Sequence, residues 1–266
     1  MIRLAAHLGI VDPALPLLAA TAGSIDPVAQ IECAARLGFA GITDNGLKLR
    51  PPMVQQAMGM ALRDHGMAMG SFTHNPLGLE PPFFWGAAIA DMEAAMAPGL
   101  AAAERIGGGC INMILLDCGA PQPEQLARAT ENFASAATLA RERGVALAVE
   151  VVSRARVPQV LVEHVDAVAA MARLAGVGLI LDSCHCHCSG EDMAAMILAH
   201  ADILAAVQIA DMPGRVQPGA GVIEFAPIMA ALRRIGWTGL VEAEFMPKVK
   251  GVEGEAAAIA ALKAIG

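Results

Sequence analysis

The stretch Val177–Phe225 decides the fold. It begins VGLILDSCHCHCSGED at residues 177–192 and continues, after a short helical run, as ILAAVQIADMPGRVQPGAGVIEF at residues 203–225. Val177–Leu181 and Ile203–Ile209 are short and apolar throughout, as strands buried on both faces of a parallel sheet are. Each run ends in polar groups: Asp182 with His185 after the first, Gln208 with Asp211 and Arg215 at the second. Oxygen and imidazole groups at the C-terminal tips of successive parallel strands are what a barrel needs to hold a divalent metal.

Outward from this stretch the same alternation repeats. Apolar strand candidates are Ile2–Leu8, Gly38–Thr43, Met67–Phe72, Cys110–Leu115, Val145–Val151, Val177–Leu181, Ile203–Ile209 and Gly239–Glu244. Alanine-rich helical stretches lie near 26–37, 52–65, 87–107, 122–143, 158–175, 189–201, 225–235 and 252–264. Strict alternation of strand and helix implies a parallel sheet, here closed as a (β/α)8 TIM barrel of the α/β class, with residues 1–266 as one domain. Asp26-Pro27 reads as an N-cap with proline at the first helical position. Pro98 is expected to kink or split the helix near 87–107. The loop Thr73–Trp85, with His74 and the run Phe83-Phe84-Trp85, has the length of a lid or of a hydrophobic plug.

Composition narrows the function classes. A net charge of −8 and a pI near 5.3 exclude nucleic acid as the expected partner, since phosphate binding needs a basic surface. Tyrosine is absent and aromatics make up 3%, which leaves little to stack on bases. The N-terminal run has some signal-peptide features, but Asp12, Pro13 and Pro16 interrupt it, and Ile2–Leu8 reads as the first barrel strand. No uninterrupted apolar run has membrane-spanning length. The expectation is a soluble cytoplasmic protein acting on a small molecule, with a homo-oligomer left open. The six cysteines read as reduced thiols.

Two further strand ends carry acids. Glu150 lies within the apolar run VEVVS, and Glu242 and Glu244 lie in VEAEF, where alternation points both the same way. An acid inside an apolar strand is costly unless it is paired or bound to a cation. Four adjacent strands thus each offer one oxygen ligand at the same end: Glu150, Asp182, Gln208 and Glu244. Such a hard donor set suits Mn²⁺, Mg²⁺ or Co²⁺ better than a closed structural zinc site.

The segments VEVVS, LDSCH, VQIADMPGRVQPGAGVIEF and GLVEAEFMPK resemble those of hydroxypyruvate isomerase and its close relatives, within the xylose-isomerase-like barrel superfamily. The likeness is strongest over residues 145–248. It implies metal ligation by Glu150, Asp182, Gln208 and Glu244, with Glu150 and Glu244 also moving protons. It places His185 and Arg215 against the substrate, and His7 and His74 join them as substrate-binding candidates. A glutamine at position 208 is the isomerase branch's residue, where the epimerases and endonucleases of the superfamily usually carry histidine. The implied reaction interconverts a small 2-keto-3-hydroxy acid and its isomer through an enediolate, as in hydroxypyruvate to tartronate semialdehyde or with a 2-oxo-tetronate. A ketose 3-epimerase or an inosose-type dehydratase on the same metal site, and a non-catalytic sugar-acid-binding barrel, are the alternatives. Ala206, His7 and Thr43 depart from the family's pattern at positions that face substrate.

The run Cys184-His185-Cys186-His187-Cys188 invites a zinc reading. In an extended chain it would put cysteines on one side and histidines on the other, which is poor for one tetrahedral site. Its cysteines read instead as small buried residues.

Overall fold

The computed structural model describes residues 2–74 and 91–266. Nine strand segments form one parallel sheet: β1 Arg3–His7, β2 Gly41–Thr43, β3 Ala68–Met69, β4 Ser71–Thr73, β5 Cys110–Met113, β6 Ala146–Val151, β7 Gly178–Asp182, β8 Leu204–Ile209 and β9 Leu240–Ala243. The spatial order is β3-β2-β1-β9-β8-β7-β6-β5-β4. The two ends of that order, β3 and β4, are consecutive pieces of one strand separated by Gly70. Gly70 donates its N–H to the Ile42 carbonyl at 2.8 Å, and its own carbonyl accepts from Cys110 at 3.0 Å. One residue therefore faces both neighbours, and the sheet closes into an eight-stranded barrel there. The expected strand Met67–Phe72 is this broken strand.

Helices follow the strands: α1 Ala19–Ala22, α2 Pro27–Arg36, α3 Pro52–Asp64, α4 Met92–Ile106, α5 Gln122–Glu142, α6 Val165–Ala175, α7 Ser183–Cys188, α8 Met193–Ala199, α9 Phe225–Arg234 and α10 Val252–Ile265. Asp26 caps α2 as expected, its Oδ1 accepting from Val28 and Ala29 at 3.0 Å each. Pro98 does not split its helix; it lies on the exposed face of α4, as does Ala94, whose carbonyl it leaves without a helical donor. The lid-length loop falls mostly on residues outside those described, as does the start of the helix expected from 87.

Two expectations need correction. The helix expected over 158–175 begins only at Val165. Before it, Val160 forms an antiparallel bridge with Leu116, and Leu161 donates to Leu115 at 2.8 Å. The buried run Val160-Leu161-Val162 gains more from packing beside that strand end than from a helical turn. The Cys/His run is likewise not extended. It forms α7, started by Asp182, whose Oδ1 accepts from the His185 N–H at 3.0 Å.

Alternation along the strands sets what lies inside. Cys110, Ala148, Ile180 and Ala206 pack together as a separate buried cluster, the floor of the barrel interior. Two residues further along the same strands stand Asn112, Glu150, Asp182 and Gln208, all buried. The intervening residues, such as Val149, Leu181 and Val207, face outward into the large core shared with the helices.

Candidate active site

The polar layer above the floor is held by strand register. Asp182 pairs with Gln208, and Gln208 with Glu242, while Glu244 directly follows β9 and ties its N–H to the Ile209 carbonyl at 2.9 Å. The four oxygen-bearing residues expected from the sequence therefore stand at one end of four adjacent strands. Glu150, Asp182 and His185 are close enough that one ligand atom from each lies within 4.8 Å of the others.

Each carboxylate has a defined anchor. Asn112 donates through Nδ2 to Glu150. Asp182 holds the start of α7 with Oδ1 and accepts from Arg215 Nη2 at 2.8 Å with Oδ2. Glu244 Oε1 accepts from Asn45 Nδ2 at 3.1 Å and lies 3.4 Å from Arg215 Nη2. Burial, then the neighbouring Asp182 charge, pushes the Glu150 carboxyl up to about 7. Burial raises Glu244 to about 8 against the opposing pull of Arg215, with Glu150 and Asp182 adding to the rise. Burial also lifts Glu242 to about 6, although its hydrogen bonds from Ser71 and Gln208 work the other way.

Arg215 reaches inward from the loop after β8. Its Nε donates to the Glu244 carbonyl at 2.8 Å, and its φ of 54° places it in the left-handed region, rare for a side chain of this kind. Burial disfavours its charge, but Asp182, Glu244 and Glu150 together hold its pKa above the ordinary value. Asp211 shapes this loop. Its two oxygens accept from Met212 at 2.8 Å, Gly219 at 2.9 Å, Gly221 at 2.8 Å and Ile223 at 2.9 Å. A glycine is required at 221, because a Cβ there would lie 2.1 Å from the Met212 carbonyl oxygen. Gly219-Ala220-Gly221 is thus folded around a carboxylate of its own chain.

His185 Nδ1 accepts the Ser153 backbone N–H at 3.1 Å, so the neutral ring carries its proton on Nε2. Burial lowers its pKa to about 4, which keeps it neutral at pH 7. Nε2 lies 3.7 Å from Glu150 Oε1 and 3.5 Å from Arg215 Nη1. That tautomer makes His185 a hydrogen-bond donor into the site rather than a metal ligand, despite its nearness to Glu150 and Asp182. His7 is buried with both nitrogens engaged by the main chain: Nε2 with the Phe245 carbonyl at 2.9 Å, and Nδ1 with the Gly9 N–H at 3.2 Å. Its polar atoms are spent on joining the first and last strand ends. His74 is also buried, and its carbonyl accepts from Lys48.

The residues fit a hard divalent cation. Glu150, Asp182 and Glu244 carry three negative charges when ionised and Arg215 one positive, leaving a surplus of two in a buried site. Gln208 adds the decisive observation. Its Nε2 is directed at Ser71 Oγ (3.3 Å) and Glu242 Oε2 (3.4 Å), while its Oε1 is buried without a hydrogen-bond partner. Such an orphaned acceptor is costly unless something positive meets it. Sequence reasoning missed Asn45, Ser71, Asn112 and Ser153. Only Asn112 offered a signal, as a polar residue inside the apolar run CINMILL.

A barrel closed from eight parallel strands, with its polar groups at the C-terminal rim, defines the class of protein. The chain belongs to the xylose isomerase-like TIM barrel family, whose model it matches over residues 31–265. A Streptomyces coelicolor protein named "Putative hydroxypyruvate isomerase" is 34% identical over 136 residues, which cover 48% of this chain and 49% of that protein. The chain thus spans about half the length of this curated relative in the match. The crystal structure of an AP endonuclease, family 2, from Brucella melitensis superposes with a TM-score of 0.81 at 20% identity, covering 97% of this chain and 98% of that one. That of 3-keto-D-glucoside 4-epimerase from E. coli gives 0.75 at 15% identity, covering 100% and 99%. At these identities the structural likeness speaks for the barrel alone. The barrel and the family resemblance read from the motif segments are both borne out.

Proposed function

We propose that the protein is a metal-dependent isomerase of small 2-keto-3-hydroxy acids, of which hydroxypyruvate is the simplest. The observation that carries this reading is the buried set of three carboxylates around one guanidinium, completed by the unpartnered Gln208 Oε1. The sequence likeness to the Streptomyces coelicolor protein supports the isomerase branch. Glu150, Asp182, Gln208 and Glu244 would hold the ion, which supplies Lewis acidity that makes the hydrogen beside a carbonyl removable.

The rest falls to the chain's own groups. Glu150 and Glu244, whose buried carboxyls are pushed up to about 7 and about 8, serve as the acid–base pair. One removes the proton from the hydroxyl-bearing carbon, and the other delivers a proton to the neighbouring carbonyl carbon. The hydroxyl proton passes to the former carbonyl oxygen, so the product is an isomer and nothing is oxidised overall. His185, through Nε2–H, donates to the oxygen on which negative charge develops.

A second reading, 3-epimerisation of a neutral ketose, is favoured by one observation. Arg215 Nε and Nη2 are engaged by the Glu244 carbonyl and by the Asp182 and Glu244 carboxylates, which leaves Nη1 but no two-pronged face for a substrate carboxylate. The test is turnover of hydroxypyruvate against a neutral ketose by Mn²⁺-loaded and EDTA-treated protein, with elemental analysis. About one divalent ion per chain, and hydroxypyruvate turnover lost with EDTA and restored by Mn²⁺, is the expected result. A higher kcat/KM for the ketose moves the assignment to epimerisation, and full turnover by metal-free protein overturns the metal reading.

A further inference from the structure

Glu242 is a fully buried carboxylate that neither proton transfer nor ligation uses. It stands on the same inner face of β9 as Glu244, two residues deeper into the barrel, and pairs in register with Gln208. Its Oε1 accepts the Ser71 N–H at 2.8 Å, and its Oε2 accepts the Ser71 hydroxyl as well as the more distant Gln208 Nε2. Ser71 Oγ, having given its proton to Glu242, has only lone pairs left, and one of them faces Gln208 Nε2 at 3.3 Å.

The place for this carboxylate is built into the fold. A Cβ on residue 70 would lie 2.5 Å from Glu242 Oε1 and 3.0 Å from Thr43 Cγ2. The glycine that closes the barrel also makes the room that Glu242 occupies.

A side-chain amide has two ends of nearly equal shape and opposite polarity. Left to packing alone, Gln208 could present either its oxygen or its NH₂ to the site. A carboxylate and a hydroxyl whose proton is already donated can only accept, so both select the NH₂ end. The oxygen is then forced to the other side, where it has no protein partner. We propose that Glu242 and Ser71 are positioning residues that fix the amide of Gln208 so that Oε1, and not Nε2, is offered to the metal. This rests on the metal site of the proposed function. It goes beyond that reading by assigning Glu242 a role that the ligand set does not contain. Groups behind the ligands commonly change metal affinity by about 10- to 100-fold when removed.

The test is calorimetric titration of the EDTA-stripped 266-residue chain with Mn²⁺, for wild type and Glu242→Gln, each with Gln208 intact and with Gln208→Ala. Glu242→Gln is isosteric and can donate as well as accept, so it no longer selects one end of Gln208. With Gln208 present it should weaken Mn²⁺ binding about 10- to 100-fold. In the Gln208→Ala background it should weaken it less than about threefold, because no amide remains to be oriented. Equal weakening in both backgrounds would show Glu242 acting by its charge alone and would overturn the proposal, as would unchanged affinity with Gln208 intact. In either case the metal site itself would stand. No Mn²⁺ binding by the wild type overturns the metal site and this proposal together. If Glu242→Gln does not fold, Ser71→Ala decides by the same cycle. It keeps the carboxylate but removes the hydroxyl link, and it should lose affinity only where Gln208 is present.

Discussion

Arg215 Nη2 lies 2.8 Å from Asp182 Oδ2 and 3.4 Å from Glu244 Oε1, bridging two buried carboxylates at the tip of β7 and the end of β9 with one nitrogen of a partly buried side chain. Removing one partner of such a buried pair leaves uncompensated charge, typically at a cost of about 3–5 kcal/mol. Arg215→Ala should therefore destabilise the metal-free protein by roughly that amount, and Mn²⁺ should restore more stability to the variant than to the wild type. Thermal melts with EDTA and with Mn²⁺ measure both. An equal Mn²⁺ increment in the two proteins would show that guanidinium and ion do not share the same carboxylates.

The acid–base pair makes a kinetic prediction. Glu150→Gln and Glu244→Gln should each lower kcat by about two orders of magnitude or more. Exchange of the substrate's carbon-bound hydrogen with solvent deuterium, followed by NMR, should slow with them. Near-native kcat in either variant would remove that residue from the proton path.

His7 sets a pH dependence whose sign can be worked out. Burial lowers its pKa from 6.5 to about 4, so the folded state binds fewer protons than the unfolded chain between those values. Its contribution to stability is complete above pH 6.5 and is lost as pH falls toward 4, a change on the order of 3 kcal/mol. Urea unfolding of wild type and His7→Asn at pH 7 and pH 4 should show the wild type losing more stability by about that amount. Parallel losses would mean that His7 does not titrate as a buried neutral ring.

Asp211 accepts four backbone N–H groups that together shape the loop carrying Arg215. Asp211→Asn replaces an acceptor-only carboxylate with an amide whose NH₂ end meets N–H groups. It should cost about 2–4 kcal/mol and lower kcat/KM at least tenfold. Denaturant titration and steady-state kinetics test the two parts separately. Lost stability with unchanged kinetics would show that the loop's shape does not matter to the site.

The eight strands and Glu150, Asp182, Gln208 and Glu244 were legible because a polar residue at the end of an apolar run contradicts its surroundings. Period-two alternation then says which way it points. Helix α7 was misread because Cys-His-Cys-His-Cys alternates as a strand would and contains no strong helix former. The contrary signal was Asp182 itself, a capping residue three positions before His185. Glu242 was visible as facing the same way as Glu244, but its partner Ser71 is 171 residues away in sequence. Arg215's place in the site followed from the family resemblance, but its φ of 54° and its bonds to Asp182 and Glu244 did not, since they depend on a loop folded around Asp211. Local pattern carries direction along a strand; it does not carry the identity of a partner across the barrel.

Arg3 pairs in register with Leu240, so the first and last strands of the chain are neighbours. Until β9 has been synthesised, β1 and β8 lack the strand that lies between them, and the sheet cannot close. Glu242 and Glu244 arrive on that closing strand, so the acidic cluster comes together only as the last seam is zipped. A nascent chain halted before residue 240 would expose bare edges on β1 and β8 to neighbouring chains. It would also lack two of its four interior acids. Ribosome-bound chains of increasing length should therefore gain protease resistance and Mn²⁺ binding together, in one step, once the last strand clears the exit tunnel.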